Sequence, residues 1–308
     1  MLKSLQKAFK VKEVRDRLLY TFMMLVVIRI GCCLPIPGVD PSYLHDFFSN
    51  LQNSGMGFFN AITGGSFSSM SIFALSITPY ITSSIIMQLL TIAIPKLEEM
   101  QKDGEDGRKK IAEYTRYLTV GLALFESCAM AVGLGGKGLL LEDHRNIWGY
   151  LTVVAAMTAG SALLMWIGER ITDNGVGNGI SIVLLINIVS GTPQDMMTLY
   201  ERFMAGRSVA VATVSGIIVL AIIVAIVVFV LVLNDAERRI PVQYSKKMQG
   251  RRMIGGQSTY IPLKVNTANV IPVIFASSIM SMPVMIAQFF HVDYSTIGGK
   301  ILLALSSS

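Results

Sequence analysis

The stretch Phe47–Pro95 constrains this chain most, because its 49 residues carry no charged side chain. A single helical crossing of a bilayer needs only ~20 apolar residues, so the run is too long for one span. Its first half is also wrong for a simple span. Gly55, Gly57, Gly64 and Gly65 stand among Ser66, Ser68, Ser69 and Ser71, and such residues weaken a helix. The second half, about Leu75 to Ile94, predicts a helix with a small polar face of Ser76, Thr78, Thr82, Ser83, Gln88 and Thr91. The pattern implies a short interrupted piece that dips into the protein, followed by a full crossing. Broken backbone at membrane depth is tolerated only where protein or a water-filled cavity surrounds it, so the stretch predicts a cavity.

The rest of the chain agrees with an all-α polytopic membrane protein: of 308 residues, 52% are hydrophobic and 15% charged. Charge is unevenly placed. With the N-terminus in the cytoplasm and one crossing per apolar run, segments 1–17, 95–117, 168–178 and 234–266 hold 20 of the 26 Lys and Arg. Such an excess on one side sets orientation. Residues 1–17 mix basic and apolar positions in the manner of a surface amphipathic helix. Spans are expected at about Leu18–Leu34, Leu75–Ile94, Tyr117–Leu134, Ile147–Gly168, Gly179–Gly191, Ser208–Leu233 and Thr267–Phe290. Of these, Ser208–Leu233 is the clearest lipid-facing helix. Residues 96–116 read as a charged hairpin with turns at 102–107, and 234–266 as a long basic loop.

Few residues suit chemistry. The three cysteines, with Cys32 and Cys33 adjacent, give neither a disulfide framework nor metal spacing and read as small buried hydrophobes. His45, His144 and His291 all fall in outer loops. The glycine-rich 133–138 fails the phosphate-loop spacing at Ala131, and 175–179 lacks the strand a dinucleotide fingerprint needs. Arg29 and Glu126 lie inside spans, where a charge costs ~2.5–3.5 kcal/mol. They are expected to form a structural pair, approaching one another, or to be hydrogen-bonded separately at bundle interfaces, the alternative being a proton or ion relay. Ile77, Ile81 and Ile85 recur at four-residue spacing, as do Leu184 and Ile188. Such stripes serve ordinary core packing or, alternatively, a hydrophobic constriction that holds back ions.

Longer motifs carry a resemblance. Leu-Pro-Ile-Pro-Gly-Val-Asp at 34–40, the run 67–81, Gly-Arg-Lys-Lys-Ile-Ala-Glu-Tyr-Thr-Arg-Tyr at 107–117, Gly-Asn-Gly-Ile-Ser at 177–181 and the runs 257–266 and 270–278 are similar to SecY. That family supplies the channel subunit of the bacterial Sec translocase. The resemblance implies an hourglass channel for unfolded polypeptide, with no cofactor and no enzymatic activity. It implies a plug at about 55–73, including Phe58, Phe59, Ile62, Gly64, Gly65 and Phe67. It implies a pore ring of Ile77, Ile81, Leu184, Ile188 and Ile274. It further implies a lateral gate between spans two and seven, with Thr82, Ser83 and Gln88 opposite Asn266, Ser277 and Ser278.

The basic loop, with Arg238, Arg239, Lys246, Lys247, Arg251 and Arg252, resembles the family's docking loop for the SecA motor or ribosomal RNA. The other implied partners are SecE, SecG, signal sequences, unfolded polypeptide and the lipid bilayer, at the bacterial plasma membrane. Family members have ten spans in two inverted halves. About seven are expected here, with an N-terminal half at 1–200 and an incomplete C-terminal half at 201–308, so the sequence reads as an incomplete member. The competing classes are a secondary transporter, which would need a polar ligand cluster at depth, and an intramembrane enzyme, whose residues are missing.

Overall fold

Pro95 sets the first bend of the chain. A residue before proline is pushed out of the helical region, and Ile94 is extended at φ −110°, ψ 112°. Helix α2 (Thr78–Ala93) therefore stops, and α3 (Pro95–Lys102) restarts with proline in its first turn at 102° to it. The other helices are α1 (Lys12–Cys33), α4 (Glu105–Leu134), α5 (Ile147–Asn174), α6 (Gly179–Phe203) and α7 (Val209–Asp235). The computed structural model describes residues 11–40, 62–135, 138, 140–141, 145–242, 247–249, 252–254, 259–267 and 276. Expected positions Phe58, Phe59, Lys246, Arg251, Ile274, Ser277 and Ser278 lie outside these residues, as does the seventh expected span apart from Thr267 and Ala276.

By length and apolarity, three described helices can cross a bilayer (α5, α6 and α7), or four if the bent α2–α3 pair counts as one span. The first and third expected spans are helical as α1 and α4, with Arg29 and Glu126 among the residues that dilute their apolar character. Two expected boundaries move. The charged hairpin is itself helical on both sides, because only Asp103 and Gly104 separate α3 from α4. The fifth span does not stop at Gly191: α6 runs through Pro193 to Phe203. A proline removes one intrahelical hydrogen bond but does not forbid a membrane helix from continuing.

The chain divides into two compact units, one of residues 1–193 and 275–308 and the other of residues 194–274. In the first, α4 packs on α5 and α2, and α1 packs on α5. The hydroxyls of Ser127 and Thr158 share a hydrogen bond of 3.0 Å, and Arg116 Nε donates to Glu169 Oε1 at 2.8 Å. Two buried clusters form the interior. One gathers Phe67, Met70 and Leu75 with Met130, Val153 and Met157; the other gathers Phe73 and Ile77 with Ile28, Leu164, Ile167 and Val183. Residues 62–77 feed both clusters, so the interrupted stretch forms part of the core.

The second unit holds α7 and a β-arm. Helix α7 has 0% of its apolar window buried and a mean hydropathy of 3.6, as expected of a helix apolar on every side. The segment expected as a basic loop is a hairpin. Strands β1 (Glu237–Val242) and β4 (Thr259–Lys264) pair antiparallel from Glu237↔Lys264 to Val242↔Thr259. Strands β2 (Lys247–Gln249) and β3 (Arg252–Ile254) pair antiparallel from Lys247↔Ile254 to Gln249↔Arg252. The described residues thus form two separate two-stranded sheets, and the paired residue numbers add to the same total in both. The period of two along a strand puts Ile240, Ile261 and Leu263 on one face and Arg239, Tyr260 and Lys264 on the other.

Candidate functional site

The interrupted stretch enters the core through tight turns. Gly64 and Gly65 have φ of 67° and 79°, values that suit a residue without Cβ. A side chain on Gly64 would meet the backbone oxygen of Asn187 at 2.7 Å, so the segment lies directly on α6. Serines then satisfy the broken backbone: Ser68 Oγ donates to Gly65 O at 2.9 Å and Ser71 Oγ to Ser66 O at 3.2 Å. The extended residues after α1 pair with it, Ile36 N donating to Met70 O and Ile72 N to Leu34 O, both at 3.0 Å. Non-helical backbone thus persists beside apolar helices because its own polar groups and neighbours answer it.

A buried polar chain anchors the far end. Ser76 adopts φ 52°, a left-handed conformation costing roughly 1–2 kcal/mol in a non-glycine residue. All its polar groups are engaged. Its N–H donates to Phe73 O at 2.8 Å, its Oγ accepts from Asn187 Nδ2 at 2.9 Å, and its carbonyl accepts from Ser161 Oγ at 3.3 Å. On α6, Ser190 Oγ donates to Asn187 O at 2.6 Å and accepts from Arg29 Nη1 at 2.8 Å. Arg29 therefore does not meet Glu126 as expected: its partner is Ser190, and no ion pair joins the two among the described residues. Glu126 is 6% exposed on α4, and its Oε2 has no hydrogen-bond partner.

The residues expected at the waist occupy different depths. Ile77 is fully buried at the start of α2, and Ile81 and Leu184 are half-buried against the same cluster. Ile188 is 53% exposed, one residue beyond Asn187 on α6. Of the expected plug, Ile62 and Phe67 are buried, with Gly64 and Gly65 between them. Of the expected gate, Thr82 and Ser83 are buried and donate to the carbonyls of Thr78 at 3.1 Å and Pro79 at 2.7 Å, while Gln88 is exposed. Asn266 is half-buried just past β4.

On the arm, Arg238 and Arg239 are exposed neighbours on opposite faces of β1, and Arg239 lies 4.7 Å over the Tyr260 ring. Lys247 and Arg252 are at opposite ends of the β2–β3 ladder, paired with Ile254 and Gln249. The sequence reading missed Asn187, Ser190 and Ser161. One signal for Asn187 was available: it is the only carboxamide between Gly179 and Gly191, and a polar side chain in an apolar helix needs a buried partner.

A broken segment wedged between buried helix faces, a purely apolar helix and an exposed basic arm define a polytopic helical membrane protein organised around an interrupted interior. The SecY family model matches residues 71–307. The SecY translocase subunit of Streptomyces scabiei is 46% identical over 301 residues, covering 94% of this chain and 68% of the relative. That of Halalkalibacterium halodurans is 41% identical, covering 96% and 68%, and that of Pseudomonas aeruginosa is 42% identical, covering 90% and 62%. The chain belongs to the SecY family of protein translocase subunits, which are membrane channel components rather than enzymes. Its fold is also that of a solved protein-conducting channel, with a TM-score of 0.55 at 20% identity over 90% of this chain and 59% of that one. A solved SecY, whose plug domain is described as stabilising the closed state, gives 0.56 at 19% identity over 92% and 61%.

Proposed function

We propose that this chain acts as the channel through which unfolded secretory polypeptide crosses the bacterial plasma membrane, and from which membrane segments leave sideways into lipid. The observation that carries this reading is the interrupted segment 62–77, buried between α1, α5 and α6 and ending at Ile77 in an aliphatic cluster with Ile81 and Leu184. A polar ligand site would need convergent charges there; the cluster is apolar, Ile77, Ile81 and Leu184 packing with Phe73, Ile28 and Leu164. Branched apolar side chains can close around a chain of any sequence without binding it.

In this reading Ile77, Ile81, Leu184, Ile188 and Ile274 form the ring, and the stretch around Ile62–Phe67 is the inner part of the plug. Thr82, Ser83 and Gln88 border the gate with Asn266, Ser277 and Ser278. Thr82 and Ser83 keep their hydroxyls on carbonyls of their own helix, so these two gate positions can part from a neighbour without exposing unpaired donors to lipid. The basic arm receives the SecA motor or the ribosome, clustered cations suiting a phosphate backbone. SecE and SecG complete the complex, and the N-terminus is cytoplasmic. Replacing Ile81 with Asn tests the function. A channel gains ion leak and accepts weaker signal sequences, whereas altered uptake of a small solute with no leak would make it a transporter.

A further inference from the structure

We propose that Asn187 is a positioning residue that latches the interrupted segment onto α6 and so sets how readily the channel unseals. The inference rests on the channel reading for its consequence, but its structural content stands separately.

One turn of α6, from Asn187 to Ser190, holds the segment at two points. At the near end Gly64 lies against the Asn187 backbone and the Ser190 hydroxyl, which a Cβ on Gly64 would approach to 2.7 and 2.9 Å. At the far end the Asn187 amide donates to Ser76 Oγ at 2.9 Å. The residues between these points, 65–75, thus span two anchors on the same helical turn. The Asn187–Ser76 bond is fully buried, both residues being 1% exposed, so water offers Ser76 no substitute. Ser76 also holds a left-handed φ, and such a conformation persists only where its surroundings over-determine it. Removing the amide takes away one of those restraints. Ser190 ties the same turn to α1 through Arg29, which fixes the orientation of the turn and hence of the amide. Asn187 Oδ1 is buried without a hydrogen-bond partner, so the Nδ2 bond to Ser76 is what holds this carboxamide to the segment. A displaced segment would leave the amide donor unpaired as well, and that cost favours the closed arrangement.

The test is hydrogen–deuterium exchange of the protein in lipid nanodiscs, following amides 66–76 against those of α4 and α5, together with ion leak from proteoliposomes. Asn187→Leu keeps the size and removes the donor. Exchange within 66–76 is expected to rise about five- to tenfold, the scale of one net hydrogen bond, with α4 and α5 unchanged. If Asn187→Leu loosens the whole bundle, Ser76→Ala, which removes only the acceptor, decides the matter. The double variant is expected to be no looser than the more affected single one, since both remove one interaction. Unchanged exchange within 66–76 in Ser76→Ala, or fully additive effects, overturns the latch. Faster exchange with greater leak supports both latch and channel, whereas faster exchange with no added leak keeps the latch and overturns the channel reading.

Discussion

The carbonyl of Ile72 lies against the Cα of Gly160, so close that a Cβ on Gly160 would overlap the Ile72 carbonyl oxygen and carbon. Backbone cannot swing aside as a flexible side chain can. Gly160 on α5 is therefore what lets the interrupted segment reach its depth in the core. Gly160→Ala is expected to destabilise by about 2 kcal/mol or more, the range for overpacking a tight interior. Gly168→Ala on the same helix is expected to be tolerated, because its Cβ would meet Ile180 and Ile77 at 3.4 and 3.5 Å, ordinary contact distances. Thermal unfolding of the two variants in detergent, side by side, checks the contrast.

Much of this architecture is legible in the sequence because it is local. Pro95 breaks α2 from α3 through the geometry of the residue before it, and Gly64-Gly65 with the following serines forecasts interrupted backbone. The uniform Val and Ile of α7 forecasts a helix with no polar face. What escapes is set by distant pairings. Asn187 meets Ser76 across 111 positions and Arg29 meets Ser190 across 161, and no local pattern records either. In the basic segment the density of charge masks the alternation of Ile240 and Val242 with Arg239 and Pro241 that makes a strand. Glu126 and Arg29 each need a polar partner inside a span, but that need does not specify which helix faces point together.

Helices α4 and α5 are clasped at one end by Arg116 and Glu169, 2.8 Å apart. Donating this hydrogen bond to the Glu169 carboxylate raises the Arg116 pKa above its ordinary guanidinium value, so the arginine side stays charged at any pH the protein meets. Both side chains are partly exposed, and the coupling is expected to be only about 0.5 kcal/mol. A double-mutant cycle with Arg116→Ala and Glu169→Ala measures it, and added salt is expected to reduce it. The reversed pair, Arg116→Glu with Glu169→Arg, is expected to recover part of the loss.

Arg239 covers the Tyr260 ring from the adjacent strand of the arm. Tyr260→Leu is expected to weaken the hairpin by about 0.5–1 kcal/mol, the scale of an exposed cation–π contact, read as faster amide exchange in Glu237–Val242. If the arm docks on ribosomal RNA, Arg239→Ala is expected to weaken ribosome binding and flatten its dependence on salt, because each lost phosphate contact removes a released counterion. Tyr260→Leu keeps the charge, so it is expected to weaken binding with the salt slope intact. Sedimentation binding at several salt concentrations separates the two effects.

Ile77 and Ile188 separate packing from sealing. Ile77 is completely enclosed by Ile28, Phe73, Leu164 and their neighbours, whereas Ile188 is 53% exposed at the surface of α6. Truncating a buried isoleucine leaves a cavity whose lining loses contacts, so Ile77→Ala is expected to cost about 2–5 kcal/mol of stability. Ile188→Ala removes little packing and is expected to change stability by less than about 0.5 kcal/mol. If both belong to the ring, each variant raises ion leak, but only Ile77→Ala also lowers the unfolding temperature. Measuring leak and unfolding on the same preparations tells whether Ile188 contributes to a seal at all: leak equal to that of the parent protein would remove it from the ring and leave the waist to residues of the buried cluster.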